Sequence, residues 1–378
     1  MADDLQMSVI ERVDRAIQDR WCSAAAAVVM HQGRTLARYG AGTLAWIGDD
    51  GEPLDSPEAA DATTWFDLAS VTKVFTAITA GVLVERGTLG LDEPIGTHLP
   101  TFATPLEDEA AGRGEVSLRH LLSHTSGLPA IWQGWLDHIG AAREAGPDQL
   151  REWPLDNRDA LLQDLLTLPL QYPAGQGWEY SCVGYNTVMA LAEAATGEPW
   201  HELVQRLTLE PMGLAESISW PPPGPTAATE VEAPLGRGVV QGIVHDEAAW
   251  SLGGAGNAGL FGTVDGVARL GELIRVDALP CSNQPLVTNV LPQILGRELA
   301  NPDTDPWGHS LGLRIGQRNW MADGDSVGHT GFTGTSVQVN QERELTIAVL
   351  TNRVHPTRQA EDPHRLRREV AELALASQ

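Results

Sequence analysis

The strongest constraint on this chain is where its β-type segments fall. Residues 24–44, AAAAVVMHQGRTLARYGAGTL, hold two apolar runs around Gln32-Gly33, the mark of a hairpin. The other strand-like stretches come in the last third: HSLGLRIG (309–316), HTGFTGTSVQVN (329–340) and ELTIAVLTNR (344–353), with turns at 319–325 and 341–344. From Gly87 to about Gly262 the periodicity is helical, with irregular loops. Strands at both ends and helices between imply one sheet assembled from both ends of the chain. The expected fold is α/β: a mostly antiparallel sheet flanked by helices. Residues 1–68 and 263–378 should form this lobe, and 69–262 a mainly helical lobe inserted into it.

Local signals fill in the elements. MADDLQMSVIERVDRAIQDR reads as an amphipathic helix with Val9, Val13, Ala16 and Ile17 on one face. Its acidic front and lack of a continuous apolar run argue against a secretory leader. Residues 49–62 are polar and read as a surface excursion. LRHLLSHTSGLP (118–129) reads as a helix ending at Ser126-Gly127, with a proline beyond. Residues 130–160, with Trp132, Trp135 and Trp153, read as a loop-rich insertion whose first two tryptophans are candidates for a pocket wall. Helices are expected over Asp159–Leu168, Asn186–Thr196, Asp265–Arg275 and Pro363–Ala376. WPPPGP (220–225) is a rigid connector. The Gly-rich SLGGAGNAGLFGT (251–263) implies close backbone approach.

Charge narrows the partners. The formal net charge is −25, which opposes nucleic acid and anionic membrane surfaces. The basic cluster Arg365, Arg367 and Arg368 shares its segment with Glu369 and Glu372 and reads as a solvated helix face. No apolar run approaches a membrane span. Three widely spaced cysteines, Cys22, Cys182 and Cys281, fit reduced thiols in a cytoplasmic protein.

The chemistry centres on WFDLASVTKVFTAITAGVLV (65–84), a short strand running into a helix, with Ser70 at the junction and Lys73 one turn on. Ser70 suits a helix N-cap, and Ser-x-x-Lys alone recurs by chance. However, of the 25 basic residues 24 are arginine and one is lysine, and that lysine is Lys73. Arginine cannot release its proton in a protein, whereas a desolvated lysine can. The positive end of the helix would further favour a neutral amine there. A Ser–Lys nucleophile also needs a proton relay, oxyanion donors and a substrate wall. Tyr180, in GWEYSCVGYN, and His329, Thr330 and Gly331, in VGHTGFTGTS, offer them. Gly331 and Gly334 would let a substrate approach the strand backbone.

The ordered set Ser-Val-Thr-Lys (70–73), Tyr-Ser-Cys (180–182) and His-Thr-Gly (329–331) resembles the serine β-lactamase and penicillin-binding-protein superfamily. The nearest branch is the class C β-lactamase-related esterases and hydrolases. LLSHTSGL (121–128), AGLF (258–261) and LTNRVHPTR (350–358) extend the likeness over about residues 20–360. The resemblance implies a β-lactamase/DD-peptidase-like fold and an acyl-enzyme on Ser70, with Lys73 taking its proton. Tyr180 would shuttle a proton to the leaving group, with phenolate character beside Lys73. The backbone N–H groups of Ser70 and Phe332 would form the oxyanion hole, and His329 would replace the lysine usual in the third motif.

Cys182 stands where the family usually has the asparagine that binds the lysine and the substrate amide. A thiol is a weak donor and acceptor, and a neutral imidazole holds a carboxylate less strongly than an ammonium. Both departures point to esters, with Arg353 as a remaining carboxylate partner. The expected function is a serine esterase acting on a small ester or amide, without cofactor or metal. The alternatives are β-lactamase or D-amino-acid amidase/peptidase activity, or a catalytically silent ligand-binding homologue.

Three decoys remain. Gly308-His309-Ser310-Leu311-Gly312 matches G-x-S-x-G, with Asp325 and His355 following, but in a strand context rather than a strand–turn–helix. His120 and His124 have the spacing of a zinc pair but lack its glutamate. Cys182 lacks a local base, so a buried thiol is its ordinary reading.

Overall fold

The strand Ala24–His31 begins with four alanines, and small side chains on both faces let layers approach from each side. In the computed structural model, which describes residues 2–103, 112–136, 157–232, 236–301, 304–359 and 362–378, this strand lies near one edge of an eight-stranded antiparallel sheet. From edge to edge the strands are Arg34–Gly42, Ala24–His31, Leu345–Thr351, Ser336–Asn340, Val327–Thr330, Arg314–Ile315, Thr304–His309 and Leu299–Asn301. The two ends of the chain meet where Ala25 pairs with Thr351 and His31 with Leu345.

Because side chains alternate along a strand, the sheet has two apolar faces. Ala25, Ala27, Val29, Leu345, Ile347 and Val349 pack under the helices Ala2–Gln18 and Arg365–Ala376. Ala24, Ala26, Val28, Ala348 and Leu350 face the main core with the helix Val264–Arg275. That helix rests directly on the sheet: a Cβ at Gly271 would lie 2.5 Å from Thr346 Cγ2. Among the described residues, no helix is long and apolar enough to cross a membrane.

The sequence reading places Val9, Val13 and Ala16 correctly on a buried face, while Ile17 is half-buried. Elsewhere tertiary contacts override it. The helix expected over 118–129 stops at Leu122, because His124 (φ +61°) and Gly127 (φ +80°) turn the chain left-handed. Only glycine fits the second bend, since a Cβ there would lie 2.0 Å from Tyr172 O. HSLGLRIG is two short strands, not one. Ser310 Oγ donates to Leu313 O and accepts from Leu313 N in the turn between them. The expected turn at 319–325 opens as a short helix, Arg318–Met321.

In the insertion, residues 137–156, with Trp153, lie outside the described residues. Trp132 and Trp135 are buried in the core, and Trp132 Nε1 donates to Asp164 Oδ2 at 2.6 Å. Arg367 is also buried, so the C-terminal basic cluster is not simply a solvated face.

Candidate active site

Phe66–Asp67 is a two-residue strand, and Ala69–Val71 is a tight 3₁₀ turn leading into the helix Thr72–Glu85. Ala69 sits at φ +45°, a left-handed conformation that costs an L-residue energy and is held here by its surroundings. Asp67 supplies part of that hold: its Oδ1 accepts from Ala69 N at 2.7 Å and its Oδ2 from His245 N at 2.7 Å. The Ser70 hydroxyl does not cap the helix; Val71 occupies the cap position without a side-chain bond. Ser70 is half-buried, and its Oγ is 3.0 Å from Lys73 Nζ.

Lys73 is fully buried. Its Nζ donates to Asn257 O at 2.9 Å, lies 3.5 Å from Cys182 Sγ and sits 5.0 Å from the centre of the Tyr180 ring. Burial works against the ammonium. The neighbouring Cys182 thiol, the Tyr180 phenol with its hydrogen bond, and the Asp246 carboxylate outweigh it and raise the lysine above its ordinary value. The net direction is toward the ammonium, opposite to the neutral amine favoured by the helix N-terminus.

The Gly-rich stretch explains how a backbone carbonyl reaches this amine. A Cβ at Gly256 would lie 2.0 Å from Tyr185 O, so only glycine permits the approach. Asn257 is then fixed from two sides: its N donates to Asn186 Oδ1 at 3.0 Å and its Nδ2 to Asp246 Oδ2 at 3.2 Å. Sequence reading flagged the glycines but missed Asn257, Asn186 and Asp246. No local pattern links residues so far apart.

Tyr180 precedes the helix Cys182–Thr196, which Ser181 caps by accepting from Gly184 N at 2.9 Å. The Tyr180 ring packs 4.6 Å from His124 and 6.2 Å from His329, with the Arg314 guanidinium 5.1 Å from its centre. His124, His309 and His329 are buried. Burial, together with neighbouring cations, holds all three below the ordinary histidine range, His309 at about 3. His329 Nδ1 donates to Thr330 O at 2.9 Å, and its buried Nε2 has no partner among the described residues. Arg314 is a further residue that sequence reading missed; it lies on the strand paired with the His329 strand.

The third motif is tied to the first by side chains. Thr333 Oγ1 donates to Asp67 O at 2.7 Å and Thr335 Oγ1 to Leu68 O at 2.8 Å. A Cβ at Gly331 would lie 2.4 Å from Leu68 O, so this glycine lets the Ser70 segment approach, not a substrate as expected. The space beside Gly334 is likewise filled, by Thr351 Oγ1. Phe332, at the tip of the turn, is exposed, and its N–H has no partner among the described residues. Arg353 Nε donates to Phe332 O at 2.9 Å, so this side chain braces the turn. Thr330 is buried in the strand.

The decoys separate cleanly. Ser310 is consumed by its own turn, and His355 accepts from Trp46 N at 2.8 Å and faces Thr229 O at 2.7 Å. Asp325 is exposed. The ring nitrogens of His120 and His124 turn to Ser117 and to Ser181 N. A group of possible ligands, Glu230, Glu232 and His245, is already engaged by Arg237 and Arg358.

Known proteins share this chain's family and fold. The family model described as Beta-lactamase matches residues 9–372. Esterase EstB of Burkholderia gladioli is 29% identical over 374 residues, covering 90% of this chain and 88% of the relative. An N-acetylmuramyl-L-alanine amidase of Bacillus subtilis (strain 168) is 28% identical over 357 residues, covering 87% and 76%. Among solved structures, EstCE1, a hydrolase with promiscuous acyltransferase activity, superposes with a TM-score of 0.72 at 20% identity, covering 98% of this chain and 99% of the other. This last likeness concerns the fold. Since the family model spans nearly the whole chain, the protein belongs to the Beta-lactamase family.

Proposed function

We propose that this protein is a serine hydrolase that transfers the acyl group of a small ester to water through Ser70. The observation that carries the reading is the approach of Ser70 Oγ to the buried Lys73 Nζ at 3.0 Å, with Cys182 Sγ as the third neighbour of that amine. Lys73 and Tyr180 share one transferable proton. Short of a second proton, the pair accepts the proton of Ser70 Oγ–H as the serine oxygen attacks and holds it for the leaving group. The serine oxygen bonds to the acyl carbon, and the carbonyl oxygen becomes an oxyanion facing the N–H groups of Ser70 and Phe332. The C–O bond to the alcohol breaks as Tyr180 protonates the departing oxygen. Water then attacks the acyl-enzyme by the reverse proton route and releases the acid and Ser70.

Ester preference follows from what surrounds the amine. The thiol of Cys182 is a poor partner for a substrate amide, and His329 is buried and neutral. Three free thiols fit a cytoplasmic setting. The test is a panel of p-nitrophenyl esters, nitrocefin and D-alanine p-nitroanilide, with a fluorophosphonate label located by mass spectrometry. The reading expects ester turnover with the adduct on Ser70. No adduct and no turnover would favour a silent ligand-binding protein; nitrocefin turned over as well as p-nitrophenyl acetate would refute the ester preference.

A further inference from the structure

Beside the turn 331–335 lies a cavity of about 400 Å³, lined by Gly334, Thr351 and Arg353 but not by Ser70, and within the size range of small-molecule sites. Arg20, Arg353, Arg365 and Arg367 line it, with Trp21 and Trp46 as walls. Among the described residues its acidic lining residues are Asp19 and Asp362, and Asp362 is already taken by Arg368 Nη2 at 3.0 Å and His364 N at 2.8 Å. Four arginines around one cavity are out of pattern in a chain of net charge −25. The buried Arg237, by contrast, has Glu232 at 2.5 Å.

Arg367 shows the imbalance most clearly. It is only 4% exposed and meets no carboxylate among the described residues. Its Nη1 meets His364 Nδ1 at 3.0 Å, its Nη2 donates to Gly331 O at 2.6 Å and Thr335 O at 2.9 Å, and its buried Nε has no partner among the described residues. Burial, with Arg353 and Arg314 nearby, pulls this guanidinium down to about 9 and outweighs the Asp362 carboxylate, which acts the other way. Among the described residues Arg353 bonds only Phe332 O, and it lies over the Phe332 ring. Arg20 stands 5.3 Å over Trp46, and Arg365 stands 3.8 Å over Trp21 with Glu369 at 3.3 Å. A buried cation without a counter-charge is costly, and an oxyanion supplies charge and acceptor atoms together.

We propose that this cavity binds a small oxyanion, a phosphate ester or a carboxylate, between Arg20, Arg353, Arg365 and Arg367. The site is coupled to the oxyanion turn, because Arg353 and Arg367 together hold the carbonyls of Gly331, Phe332 and Thr335. An anion on the cavity side of these two guanidinium groups fixes their position and so stiffens the turn carrying the Phe332 N–H.

Calorimetric titration with inorganic phosphate, phenyl phosphate and benzoate, in chloride buffer at fixed ionic strength, tests the site. At least one should bind one-to-one and, at ten times its Kd, raise the melting temperature by about 2 °C. Phosphate compounds against benzoate tells the two anion classes apart. Arg20→Asn, chosen because asparagine tolerates the φ of +59° there, and Arg365→Gln should each weaken binding about tenfold. Both positions are exposed, so the fold is not at stake. Hydrogen exchange of the peptide spanning 329–340 should slow on binding. If no probe binds better than chloride, or if both variants bind like the parent, the site is refuted; unchanged exchange overturns the coupling. Binding read on the Ser70→Ala protein keeps the result independent of the hydrolase reading.

Discussion

Cys182 Sγ lies 3.5 Å from Lys73 Nζ, which places the thiol against the one amine in the chain's side chains. A weakly polar atom thus fills a position from which a carboxamide would bond both the lysine and a substrate. The consequence is local: the ammonium keeps Asn257 O and Ser70 Oγ as its strong acceptors.

Replacing either serine separates the site from the decoy. Ser70→Ala should abolish hydrolysis of p-nitrophenyl acetate. Ser310→Ala should retain it while lowering thermal stability, because Ser310 Oγ makes two bonds to Leu313 in a buried turn. The loss should be of order 1–3 kcal/mol, the cost of leaving buried partners unpaired. Activity lost in the Ser310 variant alone would reverse the assignment.

Lys73→Arg keeps the charge but cannot cycle a proton. Acylation should fall by a factor of about 10² or more, typical for removing a general base, with the circular dichroism spectrum retained. Stopped-flow bursts of normal rate in this variant would mean that Lys73 supplies charge alone.

Cys182→Asn should shift preference toward amides. One added hydrogen bond to a charged group is worth about 1.5–3 kcal/mol, so the ratio of nitrocefin to ester kcat/KM should rise roughly 10- to 100-fold. His329→Lys, a natural partner for this change on sequence grounds, should instead destabilise the fold. His329 is fully buried, and Arg314 and Lys73 already depress its protonation, so an ammonium there would be unpaired. Denaturant midpoints of the two single variants distinguish these outcomes.

Acid should destabilise the protein from a higher pH than its carboxylates alone would set. His309 is buried neutral, with its folded value at about 3 against about 6.5 when unfolded. The unfolded chain therefore binds more protons below about 6.5. The stability contribution is complete above that pH and is lost as pH falls toward about 3, at up to about 1.4 kcal/mol per pH unit. Urea midpoints between pH 7.5 and 5 should decline, and His309→Gln should flatten the decline. An identical slope in that variant would refute the assignment.

Local patterns carried much of this protein. The apolar runs in residues 24–31 and 345–351 marked those strands, because a strand buried between two layers must be apolar on each side. The lone lysine marked Lys73, because proton release is the one property arginine cannot replace. What the sequence left open depends on groups brought together from far apart. Asn257 O reaches Lys73 only because Gly256 lets the chain pass Tyr185 O. The charge state of Lys73 is set by Cys182, Tyr180 and Asp246 against burial, which a helix-dipole argument from residues 70–73 does not contain. Gly331 read as room for a substrate, but in the fold the chain's own Leu68 takes that room. Arg367 read as a solvated charge, yet the packing of the last helix buries it against the turn at Gly331–Thr335. Sequence periodicity registers which face of a segment is apolar; it does not register which distant carbonyl or cation that face will meet.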